Sequence, residues 1–284
     1  MRLPENSRRE VIKLLAGLTV GGVAALLTGS GYSSLVETRW LAHERVRLPL
    51  DGLPAVLDGL RIVQLSDFHA EPFTSLAFIE RVVETSNRLE PDLVALTGDF
   101  VTSRAEAISE LAPILARLEA RYGVVGSLGN HDLWAGAGRI VRGLEAAGLV
   151  VLRNSGFTID ISGTRLYLAG LDSAWGGRPN LQQALTTAPD DTPVILLAHE
   201  PDLIDDIAAD PRVYLQLSGH SHGGQVRLPG IGALVLPYLG RKYDLGLYRV
   251  GQSWLYTNRG IGQSGVPLRF NCRPELTEIT LTRG

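Results

Sequence analysis

Five of the six histidines lie in five short segments whose other polar residues are carboxylates, an amide and glycines. Imidazole and carboxylate groups together form the ligand set that proteins offer to zinc, manganese and iron. The pattern therefore indicates a metalloprotein. In chain order, the segments are Asp67-Phe68-His69, Gly98-Asp99, Gly129-Asn130-His131-Asp132, Ala198-His199-Glu200 and Gly219-His220-Ser221-His222.

The candidate ligands are more numerous than one ion needs. A zinc site takes about four ligands, and a catalytic site keeps one position open. Two ions that share one bridging carboxylate could use the whole set, and such a pair clamps the attacking and leaving oxygens of a phosphoryl displacement. The candidates are Asp67, His69, Asp99, Asn130, His199, His220 and His222.

Three of the segments follow apolar runs of strand length, at residues 60–65, 93–96 and 194–197. The α/β folds place their sites at the carboxyl ends of buried strands, because the loops there converge on one edge of the sheet. Ligands spread over about half of the chain can therefore meet at one point.

The residue types of the segments and their order resemble those of the calcineurin-like metallophosphoesterases. The signature of that family reads Asp-x-His, Gly-Asp, Gly-Asn-His, His and Gly-His-x-His. All five blocks occur in that order between Asp67 and His222. The last part of the chain also resembles a bacterial subgroup of exported phosphoesterases, the YkuE/YaeI type. This second likeness rests on Gly223-Gly224-Gln225-Val226, Asn258-Arg259-Gly260-Ile261-Gly262 and Phe270-Asn271-Cys272-Arg273-Pro274-Glu275.

The resemblance implies two divalent metal ions bridged by Asp99. The ligand types suit manganese, iron and zinc alike, so the identity of the metals stays open. His131 is left off the metals and is implied to be the general acid, because an imidazole with a pKa near neutrality can protonate a leaving alkoxide. One ion would be held by Asp67, His69, Asp99 and His222, and the other by Asp99, Asn130, His199 and His220.

A water that bridges two dications should be deprotonated near neutral pH, since one zinc ion alone can lower the pKa of bound water to about 7. We therefore expect hydroxide to attack phosphorus in line, without a covalent phosphoenzyme. Many family members read Gly-Asp-x-x-Asp at the second block, and the second Asp orients the catalytic histidine; here Thr102 stands in its place. Either another acid, such as Glu71 or Asp132, supplies that charge, or His131 is a weaker acid and leaving groups of low pKa are favoured.

The apolar patterns predict alternating strands and helices early in the chain and mostly strands later. They favour two packed sheets flanked by helices. The resemblance implies the same α/β fold, a four-layer αββα sandwich with two mixed β-sheets. The predicted strands are residues 61–65, 93–97, 124–128, 150–152, 165–171, 194–198, 213–217, 252–257 and 275–282, and the predicted helices are residues 76–89, 105–121, 140–147 and 202–208.

The amino-terminal segment indicates where the chemistry takes place. Paired arginines within residues 7–13 precede residues 14–36, a run of 23 residues without a charged side chain. This arrangement resembles a twin-arginine export signal, which a receptor reads as an address. The alternative is the basic flank of a membrane anchor, because about 20 apolar residues span a bilayer core. We expect a domain on the outer face of the cytoplasmic membrane, on the periplasmic or extracellular side.

After the leader at residues 1–36, an entry segment at 37–58, turn-rich at residues 49–54, leads into one domain at 59–284, long enough for an α/β unit with a full core. Cys272 is the only cysteine, so no intrachain disulfide can form, and we expect it to be structural. Asp132, Asp172 and Glu200 are expected to support the site or to cap nearby turns.

The segment after the last ligand block is basic and rich in apolar residues. Residues 212–284 hold 9 basic and 3 acidic side chains, whereas the preceding 211 residues hold 18 and 27. A basic segment of this kind attracts phosphate and anionic lipid headgroups. The long loop at 229–245 is expected to line the substrate entrance. Its apolar stretch 231–239 is either a lip that contacts acyl chains or a membrane, or an ordinary buried strand and turn.

We therefore expect a dinuclear, metal-dependent phosphoesterase that hydrolyses a phosphomonoester, phosphodiester or pyrophosphate bond, with a lipid-linked substrate left open. The expected partners are this phosphate ester and a membrane reached through the N-terminal segment, and no nucleic-acid binding is expected. The alternative is a catalytically silent, metal-bound interaction module at the membrane. The presence of His131 favours the enzyme, because degenerate relatives typically lose the histidine of the third block.

Overall fold

The computed structural model describes residues 29–284. The paired arginines and most of the predicted leader therefore lie outside the described residues. Within residues 29–284, no helix is both long enough and apolar enough to cross a bilayer. This part of the chain begins with a short helical segment, Tyr32–Val36 followed by Glu37–Arg39.

Strands and helices alternate along the first half of the chain, and strands dominate the second. The α-helices are α1 (Leu76–Asn87), α2 (Ile108–Leu115), α3 (Asn130–Ala146), α4 (Leu181–Ala184) and α5 (Ile204–Ile207). The strands are β1 (Ala42–Leu50), β2 (Arg61–Leu65), β3 (Leu93–Leu96), β4 (Val124–Ser127), β5 (Val150–Leu152), β6 (Ser155–Ile161), β7 (Thr164–Gly170), β8 (Val194–Leu197), β9 (Val213–Ser218), β10 (Arg227–Leu228), β11 (Gly232–Ala233), β12 (Gly246–Val250), β13 (Ser253–Thr257) and β14 (Glu275–Arg283).

Two mixed six-stranded sheets form the centre of the molecule. The first has the order β1-β14-β2-β3-β4-β5, in which β2 to β5 are parallel and β14 is antiparallel to β2. The second has the order β12-β13-β9-β8-β7-β6, in which the four inner strands are parallel and both edge strands are antiparallel to their neighbours. The β10–β11 pair is a separate small hairpin.

Three apolar clusters define the layers. Because successive side chains of a strand point to opposite faces, Ile62 of β2 packs between the two sheets, whereas Val63 packs under helices α1 to α3. On the far side of the second sheet, Leu196 of β8 packs with Ile204 of α5. The α/β fold with two mixed sheets and flanking helices is thus confirmed.

Several element boundaries differ from the sequence predictions. Strand β1 lies inside the predicted entry segment 37–58 and pairs with β14 over its whole length. The predicted helix 105–121 is α-helical only over Ile108–Leu115, because the following residues bond to the loop after α1 instead, as when Glu119 N donates to Asn87 Oδ1 at 3.0 Å. Helix α3 begins ten residues earlier than the predicted helix 140–147 and bends at Gly136.

Candidate metal centre and substrate cavity

The candidate ligands follow the carboxyl ends of strands in both sheets. In the first sheet, Asp67, Asp99 and Asn130 come two to three residues after β2, β3 and β4. In the second sheet, His199 follows β8 and His220 follows β9. All of these side chains are buried, as are His69 and His222. The two sheets therefore direct one set of polar side chains to the same edge of the sandwich.

The centre of this set is a compact cluster of imidazole and carboxylate groups. His69 Nε2 lies 3.0 Å from His222 Nε2 and 3.4 Å from Asp99 Oδ2. His222 Nε2 lies 3.3 Å from Asp67 Oδ1, and His199 Nε2 lies 3.2 Å from Asp99 Oδ2. Two atoms bound to one ion at about 2.1 Å each are separated by roughly 3.0–3.4 Å. The spacing therefore fits ligands that share metal ions.

The ligand atoms form three overlapping triads, each with its atoms within 4.8 Å of one another. Asp67 is grouped with His69 and His222, and also with Asp99 and His199. The third triad joins His69 and Asp99 to His131, so the ring of His131 lies directly beside the cluster. The carboxylates of Asp67 and Asp99 each take part in two triads, which is the arrangement a two-ion centre requires.

Two buried ligand atoms have no hydrogen-bond partner among residues 29–284: Asn130 Oδ1 and His199 Nε2. An unpaired polar atom inside a protein costs about 1–3 kcal/mol. Both atoms are Lewis bases, and both border the carboxylate cluster. A bound cation satisfies such atoms, so the donor set fits divalent metal ions.

Strained backbone holds most of these ligands in place. Five of them have a positive φ, between 43° and 69°. Residues with a β-carbon avoid this region, and each such residue costs about 1–3 kcal/mol. The residues concerned are Asp67, His69, Asp99, His220 and His222.

Two glycines leave room for the carboxylates. A β-carbon at Gly129 would overlap Asp99 Oδ1, and one at Gly219 would overlap Asp67 Oδ2. The glycine in each block thus has a packing role at the cluster itself. Any other side chain at either position would displace a carboxylate.

Backbone carbonyls fix the tautomers of three histidines. His199 donates Nδ1–H to Thr97 O at 2.6 Å, and His220 donates Nε2–H to Tyr238 O at 2.7 Å. His131 donates Nδ1–H to Thr102 O, also at 2.6 Å. In its neutral form each ring keeps a lone pair on the other nitrogen, because a neutral imidazole carries one N–H. These lone pairs are available to a metal ion or a proton.

The backbone of Thr102 orients His131 in place of the aspartate that many family members have at this position. The carboxylate of Asp132 is occupied by the amides of Phe100, Val101 and Gly129, at 2.9, 3.2 and 3.0 Å, so it does not orient His131. Glu71 is exposed, and within the described residues it forms no hydrogen bond or ion pair with His131. The carbonyl group of Thr102 takes the place of the aspartate carboxylate that orients this histidine in many family members. The expectation that Glu71 or Asp132 supplies a charge is therefore wrong.

The charges of Asp99 and His199, at the centre of the cluster, stabilise each other. Burial alone would raise the pKa of Asp99, but the neighbouring His199 and His69 hold this pKa well below its ordinary value. Burial opposes the charged form of His199 as well, and the adjacent Asp99 nevertheless raises the pKa of His199 well above its ordinary value. The cluster is thus built around anionic carboxylates that require cationic partners.

A cavity of about 480 Å³ opens above the cluster. Asp99, Asn130, His131, His220 and His222 form its polar floor. Its walls are mostly apolar and come from helix α3 and three loops. The helix contributes Trp134, and the loops contribute Trp175, Val226, Leu234, Val235, Pro237 and Val266. A ligand here would place a polar group on the floor and apolar groups against the walls.

Edge-to-face aromatic contacts order one wall. The ring of Trp175 lies 5.0 Å from that of Trp134 and 5.6 Å from that of His220. The loop that carries Trp175 is held by Glu200, which accepts hydrogen bonds from Ala174 N at 3.0 Å and Trp175 N at 3.2 Å. Glu200 therefore supports the cavity wall rather than the cluster itself.

The apolar stretch 231–239 forms the outer rim of the cavity. Four of its side chains, Ile231, Leu234, Val235 and Tyr238, are 55–76% exposed. The expectation of an ordinary buried strand is therefore wrong, because only Gly232–Ala233 is extended and it pairs with a two-residue strand. We call residues 231–238 the lip.

A family model described as calcineurin-like phosphoesterase matches residues 60–224, more than half of the chain. The chain belongs to this family. It is a metal-dependent phosphoesterase, and the resemblance carried by the five sequence blocks is confirmed.

The phosphoesterase has full-length curated relatives. It is 34% identical to the Bacillus subtilis metallophosphoesterase YkuE, over 98% of this chain and 99% of the relative. It is 31% identical to the Escherichia coli phosphodiesterase YaeI, over 97% and 99%. The structure of TT1561 from Thermus thermophilus shares the fold, with a TM-score of 0.50 and 14% identity over 72% of this chain and 90% of that one. Two other structures with the same TM-score are longer, and the chain spans about half of each.

The structure also reveals residues of the phosphoesterase that the sequence analysis did not single out. Trp134 and Trp175 line the cavity, and each lies in or beside a glycine-containing loop, which is an uncommon place for a large aromatic residue. Arg269 is fully buried and donates to the carbonyls of Arg259, Gly260, Gly262 and Cys272, with Nη2 3.5 Å from His222 Nδ1. It fixes the loop behind His222.

Cys272 has the structural role expected from the sequence. Its side chain is buried, and its Sγ donates to the carbonyl oxygen of His222 at 3.2 Å. Burial raises the pKa of this thiol, which keeps it protonated and unreactive.

Proposed function

We propose that this phosphoesterase hydrolyses an amphiphilic phosphodiester with two divalent metal ions. The observation that carries the proposal is the cavity, whose floor is the carboxylate–imidazole cluster and whose walls are tryptophan and aliphatic side chains. A phosphate group fits the floor, and an acyl or other apolar group fits the walls. A water-soluble ester would leave those walls exposed.

The proposed ligands are divided between the two ions as the family pattern implies. Asp67, His69 and His222 would hold one ion, Asn130, His199 and His220 would hold the other, and Asp99 would be a ligand of both. When bound, such ions supply Lewis acidity to the phosphoryl oxygens and lower the pKa of water to about 7. The metals suited to this donor set are manganese, iron and zinc.

His131 is proposed as the general acid. Its Nδ1–H is held by the carbonyl of Thr102, so Nε2 is the ring nitrogen left for the substrate. The residue lines the cavity floor beside Asp99 and Ser264. A carbonyl partner favours the protonated ring less than a carboxylate does. We therefore propose that esters with leaving groups of low pKa are turned over best.

The test compares two substrates with the same phosphodiester: dihexanoyl phosphatidylglycerol, kept monomeric in solution, and glycerophosphoglycerol. The lipid should be turned over with the higher kcat/KM. Leu234→Ser should lower kcat/KM for the lipid by about tenfold, since partial burial of a leucine by an acyl chain is worth roughly 1.4 kcal/mol. Val150→Ser is the matched control, because Val150 is a similarly exposed residue at the amino end of β5, away from the cavity. Equal turnover of both substrates, or equal effects of both variants, would refute the amphiphilic substrate.

The second candidate is a metal-bound module without turnover. The position of His131 beside the cluster argues against it. Purified protein with two metals per chain that released no product from either substrate, nor from bis(p-nitrophenyl) phosphate, would establish this alternative.

We also propose that residues 1–36 direct export to the outer face of the cytoplasmic membrane. The support is the sequence Ser7-Arg8-Arg9 before a charge-free run. Replacement of both arginines by lysine should leave the protein inside the cell, and unchanged export would contradict the twin-arginine assignment.

A further inference from the structure

The first described residues of the chain lie next to the cavity. The carbonyl of Ser33 accepts the amide hydrogen of Arg269 at 2.9 Å, and Glu37 Oε1 accepts that of Cys272 at 2.6 Å. These contacts fix the helical segment Tyr32–Arg39 on the loop that precedes β14. The segment nevertheless leaves Leu35 64% exposed and Val36 49% exposed.

A continuous ladder of backbone contacts joins this segment to the lip. From Ser33 it passes to Arg269 and its neighbour Phe270, whose amide donates to Gln225 O at 2.8 Å. From there Leu234 N donates to Val226 O at 3.1 Å. The ladder consists of these three backbone contacts. If each spans the usual distance between strands, about 4.8 Å, Ser33 and the lip are roughly 15 Å apart.

The surface around this ladder is apolar. On one side, Leu35 shares a groove with Phe73 and Pro267. On the other side, Val266 lines the cavity opposite the lip residues Leu234 and Val235. Exposed apolar side chains grouped in this way mark interaction sites.

Basic side chains flank the two apolar segments. Within residues 29–40 and 227–242 the only acidic residue is Glu37, and it is buried. Arg39 and Arg241 are exposed at the ends of the two segments, whereas Lys242 is paired with Asp205 at 2.7 Å. Basic residues that flank apolar side chains are typical of surfaces that bind anionic bilayers.

We propose that the helical segment 32–39 and the lip form one surface that docks on an anionic lipid bilayer, with the mouth of the metal cavity facing the membrane. The chain outside the structure favours this occupant, because residues 14–28 carry no charge and lead directly into this surface. The proposal concerns binding and does not depend on turnover. An amphiphile could then move from the bilayer into the cavity without crossing water.

The test uses the full chain with a thiol-reactive fluorophore attached at Val235→Cys. Cys272 is 1% exposed, so only the introduced thiol reacts. Vesicles of phosphatidylcholine with phosphatidylglycerol, carrying a spin-labelled quencher in the acyl region, should quench this fluorophore at least several-fold more than the same fluorophore at Val150→Cys. Quenching should weaken in pure phosphatidylcholine vesicles and in the Arg39→Gln, Arg241→Gln variant.

Three outcomes would overturn the docking surface. The first is equal quenching at positions 235 and 150, and the second is equal quenching by neutral and anionic vesicles. The third is a fluorescence shift at position 235 that depends on protein concentration without lipid, which would assign the surface to a second copy of the chain. Hydrolysis of monomeric substrate by the unlabelled wild-type chain separates failure of docking from failure of the proposed function.

Discussion

The ring of His220 donates its Nε2–H to the backbone carbonyl of Tyr238, 2.7 Å away. His220 is a candidate metal ligand, and Tyr238 is the last residue of the lip. One hydrogen bond therefore joins the metal centre to the most exposed apolar part of the molecule. Displacement of Tyr238 would break this hydrogen bond to His220.

Replacement of His220 tests the assignment of the second ion. His220→Ala should lower the metal content of the protein from about two ions per chain to about one, measured by elemental analysis after dialysis, because the second ion loses one of its four proposed ligands. The control is His43→Ala, since His43 pairs with Glu278 at 2.9 Å and lies outside the cluster. An unchanged metal content in His220→Ala would remove His220 from the ligand set.

Gly219→Ala tests the close packing at the cluster. Its new methyl group would overlap Asp67 Oδ2 and Ser66 Oγ. We expect the loss of one metal ion and a fall in kcat of at least about 100-fold, since misplacement by about 1 Å is known to cost that much. Gly138→Ala is the control, because a β-carbon there meets only Arg142 Nη1 at 3.4 Å. Normal activity of Gly219→Ala would show that the loop can shift.

His131→Ala tests the general acid. The variant should retain its metals and lose about 10²–10⁴-fold in kcat on alkyl esters, the usual contribution of acid–base catalysis. The loss should be much smaller on p-nitrophenyl esters, whose leaving group needs no proton. Equal losses on both classes of ester would assign His131 to metal binding or substrate positioning instead.

The contact between Asp205 and Lys242 gives a prediction for pH dependence. A hydrogen bond from Lys242 Nζ, 2.7 Å from Asp205 Oδ1, holds the pKa of Asp205 below its ordinary value. Its stabilising effect is therefore present above the ordinary pKa of the carboxyl group and is lost as the pH falls through the lowered value. Asp205→Asn should destabilise the protein by less than about 1 kcal/mol at pH 7, because the pair is exposed.

Chemical denaturation at several pH values checks this prediction. The wild type and Asp205→Asn should differ at pH 7 and converge in acid. A difference that persists below the lowered pKa of Asp205 would show that the substitution acts through packing.

Local sequence was sufficient to find the residues of the cluster. Asp67 and Asp99 follow the neighbouring parallel strands β2 and β3, so their meeting at one sheet edge depends only on the pairing of those strands. His199 follows β8 of the second sheet, and it joins them because the two sheets pack together. The parts of the fold that follow from apolar periodicity, such as β2 and β8, were predicted to within one residue.

The cavity walls could not be predicted in the same way. Trp134 and Trp175 are 41 positions apart, and only the folded chain brings their rings to 5.0 Å. The role of Thr102 was also hidden, because its contact with His131 uses the backbone and not the side chain. Strand β1 was missed for a similar reason: its partner β14 lies more than 220 residues away.

The pairing of β1 with β14 has a consequence for biosynthesis. The two strands run parallel in unbroken register from Ala42 with Glu275 to Leu50 with Arg283, and β14 also covers the outer side of β2. During translation, β1 has no partner from β14 until residues 275–283 have left the ribosome. The first sheet therefore closes late in synthesis, and until then the edges of β1 and β2 that β14 covers stay unpaired.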